Sequence, residues 1–114
     1  MNNTKKHEEF LKKVMLKIQE MYPGSVVMKN NTGVLKSEKG YYVKYGMVGS
    51  SDLICCIAPH GRFVGIEIKT GRARQSDQQK KYEKAINKAG GRYFILFDNA
   101  DIDSQLLQIK RQGE

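Results

Sequence analysis

The chain has little of what would place it outside a reducing, aqueous setting. Its only cysteines, Cys55 and Cys56, are adjacent, a spacing that fits neither a disulfide framework nor a zinc site. They fall in an apolar run that reads as a buried strand, so they are expected to point to opposite faces as reduced core thiols. That usage suits a cytoplasmic protein. No stretch approaches the roughly 18 apolar residues of a membrane span, and the polar, charged N-terminus has no signal-peptide core. Internal repeats, low-complexity tracts and interdomain linkers are missing too. At 114 residues the expectation is one domain over 1–114, burying about two thirds of its unfolded surface.

Acids are also scarce. Twelve Asp and Glu against twenty Lys and Arg leave a net charge of +8 and a pI near 9.5. This balance favours a polyanionic partner, but composition does not separate nucleic acid from an anionic membrane.

Periodicity supplies the elements. Leu11, Val14, Met15, Ile18, Met21 and Tyr22 form the apolar stripe of an amphipathic helix over residues 4–22, ended by Pro23-Gly24. Glu8 lies on that stripe and is expected to face the body of the domain. Residues 25–29 read as a strand, with Asn30-Asn31-Thr32-Gly33 as its turn, and residues 34–40 as a polar loop. The aromatic run Tyr41-Tyr42-Val43-Lys44-Tyr45 reads as a second strand. Residues 52–58 and 62–69 are two further strands around Pro59-His60-Gly61, short enough for an antiparallel hairpin that sets Asp52 across from Glu67 or its neighbour. Ser76-Asp77-Gln78-Gln79 fits a capping box with Ser76 as N-cap and Gln79 at N3. The helix it opens shows Tyr82, Ala85, Ile86 and Ala89 on one face and stops at Gly90-Gly91. Residues 92–97 read as a buried strand parallel to 62–69, joined by a right-handed crossover. A short helix over 101–110 closes the chain. The fold class expected is α/β: a mixed sheet flanked by helices, in the order helix, three or four strands, helix, strand, helix.

Two of those strands carry chemistry. Residues two apart on a strand share a face, so Glu67 and Lys69 point together while Ile66 and Ile68 point into the core. With Asp52 alongside, they provide what phosphodiester hydrolysis needs: carboxylates to hold one or two divalent ions, and a cation beside the phosphate or the attacking water. Asp52 and Glu67 could hold the metal with the carbonyl of Ile68 and waters. Lys69 would act either as charge stabiliser or as base. A chance Glu and Lys on a surface strand is the competing reading; the apolar flanks and the capped helix that follows argue against it.

Gly49-Ser50-Ser51-Asp52-Leu53-Ile54, then Ile66-Glu67-Ile68-Lys69-Thr70-Gly71, then Ser76-Asp77-Gln78-Gln79 with Gly90-Gly91, resemble the VRR-NUC branch of the PD-(D/E)XK nucleases. The resemblance runs from about residue 7 to residue 97 and includes the polar segment Lys29-Asn30-Asn31-Thr32-Gly33. It implies a restriction-endonuclease-like core and a Mg²⁺ or Mn²⁺ dependent DNA endonuclease. By resemblance Asp52, Glu67 and Lys69 are the catalytic core, Gln79 an active-site glutamine, and Glu8 a further acid near the metals, with Glu9 as its alternative. Ser51 stands where the family has Pro. The minimal length implies a stand-alone phage-type or bacterial enzyme, similar to Holliday junction resolvases and acting as a homodimer.

The basic residues then acquire a reading. Lys29, Lys36, Lys39 and Lys44, with Asn31, Arg72 and Arg74, are candidates to contact phosphates along the DNA. Lys80, Lys81, Lys84 and Lys88 read as the outer face of their helix. His60 is expected to be solvated, and His7 beside Glu8 is a candidate for an active-site role. Candidate dimer surfaces are Tyr41, Tyr42 and Tyr45, or the N-terminal helix.

Overall fold

The computed structural model describes residues 3–31 and 33–112. Helix α1 (Asn3–Met21) is followed by five strands, β1 (Val26–Lys29), β2 (Gly33–Lys36), β3 (Tyr42–Tyr45), β4 (Leu53–Ile57) and β5 (Arg62–Lys69). Helix α2 (Asp77–Lys88), strand β6 (Arg92–Phe97) and helix α3 (Ile102–Gln112) complete the order. Four strands form a mixed sheet, β1-β4-β5-β6, in which only β5 and β6 run parallel.

Alternation along the central strands builds two faces. Leu53, Cys55 and Ile57 on β4, Val64, Ile66 and Ile68 on β5, and Phe94 and Leu96 on β6 are buried with Leu11, Val14 and Ile18 of α1 and Leu106 and Ile109 of α3. Each such side chain contributes roughly 1.5–3 kcal/mol by leaving water. The opposite face of β5 and β6 is covered by α2, whose Tyr82 ring meets Tyr93 edge to face at 5.9 Å between centroids. Both faces of β5 are therefore buried from Val64 to Lys69. The β4–β5 register pairs Leu53 with Ile66, which sets Asp52 level with Glu67 as the hairpin implied.

Four expectations need correction. Residues 34–40 are not all loop: β2 arises there because Val34 and Leu35 pair with Lys44 and Val43 of β3. These two strands form a separate ribbon rather than part of the main sheet, so β1 and β2 are not a hairpin and Asn30-Asn31 connects two sheets; Thr32, placed in the same turn, lies outside the described residues. Cys56 is exposed, unlike Cys55, because it lies on the face that α2 covers mainly at β6. The inward face of α2 starts at Gln79, as its spacing before Tyr82 implied, and continues through Tyr82, Glu83 and Ile86, with Ala85 and Ala89 exposed; Glu83 takes a place that the alanines had been expected to hold. The radius of gyration, 15.1 Å, exceeds the roughly 13 Å of a compact chain of this length, as a projecting ribbon requires. Among the described residues no helix is long and apolar enough to cross a membrane.

Candidate active site

Local hydrogen bonding fixes where β4 begins. Asn30 donates through Nδ2 to Ser50 Oγ (2.7 Å) and to the Ser51 carbonyl (2.9 Å), while its backbone N–H donates to the Asp52 carbonyl at 2.8 Å. Ser51 is buried and its hydroxyl donates to the Leu53 carbonyl at 2.8 Å. Gly65 is required opposite: a Cβ there would come within 2.7 Å of Ser51 Oγ. The segment is thus clamped from both sides, and Asp52 is held at its end.

The carboxylate of Asp52 accepts from the Ile68 backbone N–H at 2.7 Å. Asp52 and the β5 backbone at Ile68 are thereby one unit. Glu67 is only 5 % exposed. Its Oε2 accepts from Gln79 Nε2 at 2.8 Å and lies 3.6 Å from Lys69 Nζ, while its buried Oε1 has no partner. Burial, then the charge of nearby Asp52, push the Glu67 carboxyl up to about 7 against the pull of Lys69. Lys69, 9 % exposed, donates to Gln79 Oε1 at 2.9 Å.

Gln79 is the hub, and the capping box explains its position. Ser76 N–H donates to Gln79 Oε1 (2.8 Å), and Gln79 N–H donates to Ser76 Oγ (3.1 Å). The same amide spans the buried acid and the buried base, its N–H₂ toward the carboxylate and its oxygen toward the ammonium. Helix initiation and site assembly thus share one side chain.

The structure brings Asp52, Glu67, Lys69, Gln79 and the Ile68 backbone together and treats the remaining candidates differently. Glu8 is held by Lys29, whose Nζ is 3.1 Å from both of its carboxylate oxygens, and Glu9 is exposed. His7 instead reaches Asp52, Nε2 to Oδ2 at 3.4 Å. Lys29 is committed to that ion pair on the rim, Lys44 lies on the ribbon, and Asn31, Arg72 and Arg74 are exposed around the same strand ends. Sequence reasoning missed Asn30 and Ser51, whose roles lie in backbone geometry, and Tyr93, buried on the Glu67 face of β6. It also missed the bond from Gln75 Nε2 to Glu83 Oε1, 2.8 Å; the Glu83 spacing, four after Gln79, was the available signal.

Among the described residues no cluster of three or more His, Cys, Asp and Glu side chains stands ready to enclose an ion. Two carboxylates suit Mg²⁺, which keeps several waters and takes one or two acids plus phosphate oxygens. The orphaned buried Oε1 of Glu67 fits such an ion, since an unpartnered carboxylate oxygen in an apolar setting is costly.

No protein-family model matches the chain, and no curated protein matches it. Among solved structures it is similar to one described as a VRR_NUC domain, with 20% identity, a TM-score of 0.55, and coverage of 83% of this chain and 91% of that one. The fold is thus that of a VRR_NUC domain, as the motifs implied.

Proposed function

We propose that this chain, with a VRR_NUC fold and two carboxylates level at the ends of β4 and β5, is a Mg²⁺ or Mn²⁺ dependent DNA endonuclease. The observation that carries the reading is Glu67: a buried carboxylate with one oxygen bound by Gln79 and the other free, beside Asp52 and Lys69. A buried carboxylate oxygen without a partner is costly, which supports a further ligand at Glu67.

Asp52, Glu67 and the Ile68 carbonyl would hold the ion, which when bound polarises the phosphate and makes water nucleophilic near neutral pH. The Ile68 N–H fixes Asp52, and Gln79 fixes Glu67 and Lys69, so the constellation is organised before substrate arrives. Lys69 donates to the Gln79 amide oxygen and lies 3.6 Å from Glu67, and we assign it charge stabilisation at the phosphate rather than proton abstraction. Lys44, Arg72 and Arg74, with Asn31, would contact the backbone of the DNA on either side. Glu8 serves to orient Lys29 on that rim, and His7 borders the acids.

The substrate reading is branched DNA such as four-way junctions, cut by two sites in a homodimer. Labelled junction, flap and linear duplex, incubated with Mg²⁺ or Mn²⁺ and with EDTA, test it. Metal-dependent cleavage with junction preferred is expected; no cleavage of any of the three would falsify it, and equal cutting of plain duplex would replace the junction by a nicking or restriction-type activity.

A further inference from the structure

We infer that His7 is a ligand of the metal ion at Asp52 and Glu67, and that its imidazole makes the site take a transition ion such as Mn²⁺ in preference to Mg²⁺. The inference rests on the metal-dependent reading above and adds to it a donor and a rank order of ions.

Core packing sets the aim of His7. Along α1 it precedes Leu11 by four residues, Val14 by seven and Ile18 by eleven, and all three are buried in the core. On a helix those offsets share one face. Packing of that face on β5 and α3 therefore turns the imidazole inward as well, and its side chain is 30% exposed. Glu8, about 100° further round the helix, leaves that face and pairs with Lys29 at 3.1 Å, which ties the start of α1 to β1. The residue after Lys29 is Asn30, whose amide holds Ser50 and Ser51 at the entry to Asp52. The imidazole and the Asp52 carboxylate are thus held in place from one corner of the sheet.

The separation of the two groups suits a shared ion. His7 Nε2 stands 3.4 Å from Asp52 Oδ2, outside the roughly 2.7–3.2 Å of an N–H···O hydrogen bond. Two donors bound at about 2.1 Å and at right angles to one small divalent ion lie about 3 Å apart, which is within a few tenths of an ångström of the observed spacing. A second mark of a ligand is Glu67 Oε1, buried and without a partner on the strand next to Asp52. Among the described residues no three donor side chains are already clustered, so each donor that converges on Asp52 weighs heavily.

Ligand chemistry then ranks the ions. Mg²⁺ favours oxygen donors and keeps several of its waters, so an imidazole adds little to its binding. Transition ions accept imidazole nitrogen, and ligand type is a main source of selectivity among divalent metals.

Metal binding to the untagged protein without DNA tests this. In pulsed EPR, bound Mn²⁺ should show the hyperfine coupling of a directly bonded imidazole nitrogen, retained in His60→Ala and lost in His7→Ala. His60 is the other of the chain's two histidines and lies in the turn at the far end of β4. Should His7→Ala fold poorly, ¹⁵N-histidine incorporated into His60→Ala, where His7 is the sole histidine, should alter the coupling. By calorimetry, His7→Ala should weaken Mn²⁺ binding about 10-fold or more and Mg²⁺ binding much less. Mn²⁺ that is lost in Asp52→Asn but shows no imidazole nitrogen overturns the inference, leaves the nuclease reading in place and reduces His7 to an ion-pair partner of Asp52. Coupling that persists in His7→Ala overturns it too, as does equal weakening of both ions. No Mn²⁺ binding at all overturns both readings. Imidazole coupling in a protein that cuts no DNA upholds the inference and removes the nuclease.

Discussion

The side-chain amide of Gln79 donates to Glu67 Oε2 at 2.8 Å, tying the first turn of α2 to the most buried acid of the sheet. The same glutamine closes the α2 capping box, so a local signal for starting a helix also delivers a functional group to β5. This dual use makes the two roles separable by substitution.

Gln79→Ala removes the bridge between Glu67 and Lys69, and cleavage should fall on the order of 100-fold, the scale of losing one preorganised donor. Ser76→Ala removes only the N-cap, costing about 1 kcal/mol of stability, and should leave cleavage within a few-fold. Single-turnover rates and thermal melts of the two variants check this; equal activity losses would show that Gln79 acts only through the helix.

Lys69→Ala should abolish cleavage while DNA binding persists, because the rim cations proposed to contact phosphate are elsewhere on the chain. Measured by gel shift beside a cleavage assay, parallel loss of both would reduce Lys69 to a binding residue.

Glu67 gives the metal-free protein a pH dependence of definite sign. Its carboxyl rises from the ordinary 4.5 to about 7 on folding, so the folded state binds the proton more tightly than the unfolded chain does. The resulting stability is fully present below pH 4.5 and lost as pH rises through 7. Melting temperature in EDTA should decline over that window, and Glu67→Gln, neutral throughout, should flatten this part of the curve and melt higher at pH 8 by about 4 °C or more. An unchanged slope in Glu67→Gln would assign the dependence to other groups.

Mg²⁺ or Mn²⁺ should raise the wild-type melting temperature at pH 8 by mass action on the folded state. The effect should shrink strongly in Asp52→Asn and Glu67→Gln. A shift of the same size in all three proteins would put the ion elsewhere.

Gly65→Ala should destabilise the fold by about 1–3 kcal/mol through overpacking on Ser51. Ser51→Ala should recover part of that loss and not all, since Ser51 Cβ and the Tyr82 ring stay at 3.3 and 3.6 Å from the new methyl. Additive effects of the two changes in chemical denaturation would mean that the contact is not what Gly65 relieves.

The elements that were legible in sequence are those whose signal is local. The α1 stripe, the capping box at Ser76 and Gln79, and the alternation through Ile66, Glu67, Ile68 and Lys69 each rest on residues within a few positions of one another. β2 was not legible, because Val34 and Leu35 form a strand only by pairing with residues 43 and 44. The partners of Glu8 and His7 were not legible for a related reason. Successive helix residues differ by about 100° in direction, so a small rotation of α1 exchanges which of them meets Asp52 and which meets Lys29.

Sequence alone determined the chemical inventory: two acids and a lysine at strand spacing, a glutamine at N3 of a capped helix, two reduced cysteines and an excess of positive charge. Tertiary structure decided what each group meets. It buried Glu67 and Lys69 between the sheet and α2, aimed the Gln79 amide at both, left Glu67 Oε1 without a partner, and set β2 and β3 apart as a ribbon. Helix starts and strand alternation are fixed by neighbours along the chain, whereas burial and side-chain partners depend on how elements far apart in sequence pack together.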